Sequence, residues 1–189
     1  MKIALYSCLA ACWLLAATDT PVVAEPIDAS AISCEILSAR VDAGDMTFAN
    51  SILNWMGGYH ATAKQGTVVE WSKLSEAFDK TIVYCKENPH VGIMSASETF
   101  MGEAIEETGP SSYDLAIVTC EDVQSKNSVL KDLGDTLMWL SGYHTSMHEE
   151  GSKMIDLDAF VRQAGQIDTY CTAHPKTSLV TASEKYMGE

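Results

Sequence analysis

Basic side chains are scarce in this chain. Twelve Lys and Arg stand against 26 Asp and Glu in 189 residues, and only Arg40 and Arg162 are arginines. A formal net charge of −14 leaves no cationic footprint for a phosphate backbone, which excludes nucleic acid as a partner. An anionic membrane surface is excluded for the same reason. The longest apolar run, residues 3–17, falls short of the roughly 20 residues a bilayer-spanning helix needs. No Cys-x-x-Cys spacing exists, so neither a common zinc site nor a redox dithiol is encoded. There is no Gly-x-Ser-x-Gly elbow, no His-Glu-x-x-His and no phosphate-cradling glycine loop. These absences predict a protein that is not an enzyme and carries no cofactor.

What is present begins with an export signal. Lys2 supplies a basic start, the apolar run follows, and Val22-Val23-Ala24 puts small residues at a cleavage position. Residues 1–24 are read as a signal peptide and Glu25 as the mature N-terminus. Leu9-Ala10-Ala11-Cys12 matches a lipobox by letter, but the apolar run continues past Cys12. Export implies an oxidising compartment and no membrane insertion once the signal is removed. The hydrophobic share of 47% against 20% charged is that of a globular chain, not a disordered one.

Four cysteines remain after the signal: Cys34, Cys85, Cys120 and Cys171. They allow three pairings. Cys34 and Cys85 are 51 positions apart, and so are Cys120 and Cys171. Other landmarks recur with them. Ser33-Cys34-Glu35 returns as Thr119-Cys120-Glu121, and Trp55-Met56-Gly57-Gly58-Tyr59-His60 as Trp139-Leu140-Ser141-Gly142-Tyr143-His144. Tyr84-Cys85 returns as Tyr170-Cys171, and Ala96-Ser97-Glu98 as Ala182-Ser183-Glu184. The offset is 86, slipping to 84 at the Gly-Tyr-His element. The mature chain is therefore an internal duplication, read as repeats over 25–103 and 117–189 with a linker over 104–116 around Gly109-Pro110. Duplication makes Cys34–Cys85 and Cys120–Cys171 the economical pairings. A domain this small has a limited core and typically needs such a staple.

Helical periodicity runs through both repeats. Phe48, Ile52, Trp55, Met56, Tyr59 and Ala63 form one stripe, and Leu74, Phe78, Ile82 and Cys85 another. Leu130, Leu133, Leu137, Leu140 and Tyr143 match the first, and Leu157, Phe160, Ala164, Ile167 and Cys171 match the second. The two striped helices of a repeat are expected to pack on each other. Ser33 and Thr119 are placed as N-caps, and Ser95-Ala96-Ser97-Glu98 and Thr181-Ala182-Ser183-Glu184 read as capping boxes. Pro89 and Pro175 close the helix carrying the second cysteine. No alternating strand pattern of useful length appears. The fold class is all-α: two tandem small helical domains of about four helices, each with one internal disulfide pinning its first helix to its third.

Gly58 and Gly142 are costly inside a helix, and their recurrence predicts close approach of a neighbouring helix or bulky side chain. His60 and His144 read as packing residues. His144 and His148, with Glu149, have a spacing that could hold a metal, but Lys64 stands at the matching position of the first repeat, so no metal site is assigned.

Together these elements resemble the HdeA/HdeB family of periplasmic acid-stress chaperones. The stretches that carry it are Ile32-Ser33-Cys34-Glu35-Ile36-Leu37, Val118-Thr119-Cys120-Glu121-Asp122-Val123 and Val83-Tyr84-Cys85-Lys86-Glu87-Asn88-Pro89. Thr169-Tyr170-Cys171-Thr172-Ala173-His174-Pro175 follows more loosely. The resemblance covers nearly the whole mature chain, once per repeat. Family members are usually single-domain homodimers, whereas this chain holds two copies. The resemblance implies a periplasmic protein that is dormant near neutral pH and binds unfolding or acid-damaged proteins in acid. Homo-oligomers are a further partner class on that reading. On that frame the two repeats are expected to pack against each other as a fused pseudo-dimer, partly hiding at neutral pH the apolar helix faces that contact clients, here Trp55, Met56, Phe78, Trp139 and Leu140. The mature chain has 11 basic residues, 25 acidic ones and five His, so full protonation carries it from −14 towards +16. The alternative is a periplasmic immunity protein whose acidic surface plugs a basic cell-wall amidase.

Overall fold

The first α-helix of each half begins at its first cysteine. A computed structural model describes residues 25–61, 66–102, 112–125, 130, 132–148 and 152–188. The expected signal peptide, Ala63, Glu149 and most of the expected linker lie outside the described residues. The first half contains α1 (Cys34–Asp42), α2 (Met46–His60), α3 (Trp71–Glu87) and α4 (Ile93–Met101). The second contains α5 (Cys120–Gln124), α6 (Leu133–His148), α7 (Leu157–Ala173) and α8 (Leu179–Met187). The two long and two short helices per repeat match the expectation, although Leu130 precedes α6 instead of joining it.

Local chemistry explains the boundaries. The Ser33 hydroxyl accepts from the Ile36 amide, and Thr119 from the Asp122 amide. At the second site the Asp122 carboxylate accepts in return from the Thr119 amide at 2.9 Å, a reciprocal capping box. The capping boxes expected at Ser95–Glu98 and Thr181–Glu184 are not where α4 and α8 begin. These helices start three residues earlier, with Gly92 and Ser178 at the N-cap positions, and only Ser178 supplies a side-chain cap. Gly92 pairs with Ser33, and Ser178 with Thr119, in isolated antiparallel bridges, so the chain leaves an extended segment and turns helical at once. Asn88 and His174 cap the ends of α3 and α7, one residue before Pro89 and Pro175.

The disulfides are Cys34–Cys85 and Cys120–Cys171, tying α1 to α3 and α5 to α7. The sequence showed no strands, yet the described residues include four short ones: β1 (Ile27–Asp28), β2 (Val68–Glu70), β3 (Ser112–Asp114) and β4 (Met154–Ile155). Two or three residues are too few for an alternating pattern to register. Their pairing is reciprocal. β1 of the first half joins β4 of the second, and β3 of the second joins β2 of the first, both antiparallel. Part of the stretch read as linker thus belongs to the fold, and Leu115 beside it is fully buried.

The striped helices were expected to pack on each other within a repeat. Instead α2 packs chiefly along α6, while α3 packs on α1 and α4. The widest apolar face of each half is covered by its duplicate, and the two halves share one core.

Candidate functional site

The α2/α6 crossing is the site. It is built on Gly58 and Gly142, whose missing side chains let the helices touch through backbone. A Cβ on Gly58 would lie 1.8 Å from the Trp139 carbonyl oxygen, and one on Gly142 would lie 1.9 Å from that of Trp55. The reciprocity makes the crossing pseudo-two-fold. Around it Trp55 stacks on Tyr59 at 5.0 Å, and Trp139 on Tyr143 at 5.5 Å. The close approach expected from the recurring glycines is present, and its partner is the other repeat.

Four of the five expected client-contact residues, Trp55, Met56, Trp139 and Leu140, are on these two helices and almost wholly buried. Phe78 is elsewhere, half-buried on α3. The closed crossing holds costs as well as contacts. The Trp139 indole Nε1 is buried and finds no acceptor among the described residues, which costs on the order of 1–3 kcal/mol. Asn54 donates from Nδ2 to the Asp135 carboxylate at 3.0 Å, from α2 to α6. Met138 and Ser51 stand at the matching positions, so this polar tie exists once, not twice.

Burial, and then repulsion from Asp132, hold the Asp135 carboxyl above the usual carboxylate range. A raised carboxyl disfavours the closed state at neutral pH, and that penalty fades as pH falls through its folded value. Asp135→Asn should therefore stabilise the protein at pH 7, by less than about 1 kcal/mol, and lose the advantage near pH 3. Urea midpoints at both values check this, and a variant equally shifted at both would contradict it.

A second tie spans the halves at the strands. Glu70 is 1% exposed and caps α3. Its carboxylate accepts from Ser72 on one oxygen, and from Ser112 of β3 at 2.8 Å on the other. Sequence reasoning missed Asn54 and Asp135, which have no counterpart in the other repeat, and Glu70, whose counterpart Asp156 caps α7 just as Glu70 caps α3.

His60 and His144 are packing residues, as expected, with a more specific role. His60 Nε2 is 2.9 Å from Ser97 Oγ, and His144 Nε2 is 2.8 Å from Ser183 Oγ. Both serines were visible in the sequence as repeated landmarks but were assigned to helix caps. His144 and His148 stack at 6.0 Å, and His148 faces Glu184 at 3.9 Å. Among the described residues no group of three or more His, Cys, Asp and Glu could hold a metal, and Glu149 is not among them. Among those residues no helix is long and apolar enough to cross a membrane.

Fold and site thus define a tandem, disulfide-closed helical protein whose two halves bury their best apolar faces against each other. A profile of the HdeA/HdeB family matches residues 2–95 and again residues 91–181. The chain belongs to the HdeA/HdeB family, as two tandem HdeA-like halves. No curated protein and no solved structure was found that matches it.

Proposed function

We propose that this protein is an exported, non-enzymatic chaperone that binds unfolding periplasmic proteins in acid, using the helix faces buried at the α2/α6 crossing. The observation that carries the reading is the complete burial of Trp55, Met56, Trp139 and Leu140 between two halves of one chain. Those side chains are unavailable while the crossing is closed. Met and aromatic side chains suit promiscuous apolar contact once it opens. One feature favours opening in acid. The net charge passes through zero near the isoelectric point of about 4.6 and turns strongly positive below it, so self-repulsion grows there. The Trp139 N–H, without an acceptor among the described residues, regains water when the halves part and so lowers the cost of opening at any pH.

Fusion changes the activation step. In a homodimer, exposure follows dissociation and depends on concentration. Here the halves stay tethered, and separation is unimolecular. The pH at which an apolar dye binds should not move over a hundredfold range of protein concentration.

The deciding assay is aggregation of an acid-labile client at pH 2–4 and at pH 7. The protein should suppress aggregation in acid and leave it unchanged at pH 7. Failure to suppress at every acidic pH sinks the reading.

A further inference from the structure

We infer that His60 and His144, each bound through Nε2 to a serine on the closing helix of its own half, are a repeated pair of proton-operated latches. They hold α4 to α2 and α8 to α6, and they release when the imidazoles take up a second proton. The inference concerns the stability of the closed state and does not depend on client binding.

The hydrogen bonds assign the protons. Ser97 Oγ donates to the Met94 carbonyl at 3.0 Å, and Ser183 Oγ to the Val180 carbonyl at 2.9 Å. A serine hydroxyl has one hydrogen; given to its own helix, it leaves each Oγ to accept from the histidine. On that ground we assign the hydrogen of the neutral imidazole to Nε2, which leaves Nδ1 for a second proton. Both serines are fully buried; His144 is 2% exposed, whereas His60 is half-buried, so the enclosure is tighter in the second half. Tyr59 and Tyr143 lie edge-on to the two imidazoles, closing one side of each. A second proton goes to Nδ1 and leaves a cation in this enclosure.

The surrounding charges differ between the halves. At His60, burial opposes the cation, and so does Lys153, which reaches across from the second half. Glu98 and the Met94 carbonyl on α4 favour it. At His144, burial is the main cause and His148, one turn along α6, adds to it. Together they push the imidazole down to about 4. Glu184 of α8, next to Ser183, faces His148. A depressed imidazole stabilises the closed state above the free value of 6.5. Between there and about 4 an opened chain takes up a proton at His144 that the closed chain refuses. Closed-state stability is lost across that window, and no further loss comes from His144 below it. The latches thus act at milder acidity than most carboxylates.

The test uses the oxidised protein. Followed by NMR from pH 8 to 3, the ring signals of His60 and His144 should titrate below 6.5, with His144 near 4. His60→Gln/His144→Gln keeps a neutral amide donor for each serine. Between pH 7 and 4 the wild type should lose on the order of 100-fold more of its closed-to-open ratio than the variant, read from urea midpoints. Equal losses, or two histidines titrating at 6.5, would overturn the latch. If the variant does not fold, the wild-type titration alone decides. Client aggregation is a separate readout: a latch failure with intact acid protection leaves the chaperone reading standing, and the reverse result leaves the latch standing.

Discussion

Alanine at Gly142 should open this protein at neutral pH. Its Cβ would lie 1.9 Å from the Trp55 carbonyl oxygen and 2.9 Å from the Tyr59 amide nitrogen. These are backbone atoms of a long helix, so no side chain can rotate away. The helices must separate by about 1.5 Å to reach ordinary contact, which forfeits much of the dispersion energy along the crossing. Alanine gains back only about 1 kcal/mol of helix propensity. Overpacking costs about 1–3 kcal/mol in adaptable cores, and this contact is less adaptable than most. A net loss of about 3 kcal/mol or more is expected, with dye-accessible apolar surface at pH 7. Gly58→Ala meets the Trp139 carbonyl at 1.8 Å and should behave alike. The double variant should lose less than the two single losses combined, because helices already parted leave room for the second methyl. Gly165→Ala on α7 is the control. An added Cβ there meets nothing within 4 Å, so this variant should be stabilised by about 0.5–1 kcal/mol. Gly142→Ala and Gly165→Ala with equal urea midpoints would remove the crossing from the account.

Reduction of both disulfides should abolish the cooperative unfolding transition. Each bridge closes a loop over 51 positions, worth about 4 kcal/mol in the chain-entropy model. Both together approach the whole stability of an ordinary domain, about 5–15 kcal/mol. The halves should not suffer equally. α1 has nine residues, whereas α5 has five, too few to persist in water without its tie to α7. Cys120→Ser/Cys171→Ser should therefore lose more helix than Cys34→Ser/Cys85→Ser. The disulfides do not titrate in acid, so the oxidised protein at pH 3 should keep far-UV helical signal while near-UV signal from its tryptophans falls. Reduced protein at pH 3 should lose both. A reduced chain within about 1 kcal/mol of the oxidised one at pH 7 would show that the shared core suffices without staples.

Much of the fold was legible because duplication writes each element twice. The matching cysteine spacings led to the observed disulfides. The paired glycines predicted a close approach that exists at Gly58 and Gly142. The misreadings have physical causes. Ser95–Glu98 and Thr181–Glu184 fit a capping-box pattern by letter, but the backbone bridges at Gly92 and Ser178 start the helices earlier and leave Ser97 and Ser183, inside those boxes, buried against histidines. Asn54 and Asp135 meet across 81 positions, and one polar pair on two otherwise apolar faces leaves no periodic trace.

The sequence by itself determined the helices, the starts of α1 and α5, the ends of α3 and α7, the two disulfides and the family, because these depend on local periodicity, capping chemistry and repeated spacing. Only the tertiary structure decided which faces meet. A helix stripe announces that it must be buried but not against what, and here α2 finds α6 across the duplication instead of α3 within its own repeat. That choice follows from shape: only where Gly58 and Gly142 remove both Cβ atoms can two helix backbones approach closely enough to bury Trp55 and Trp139 together.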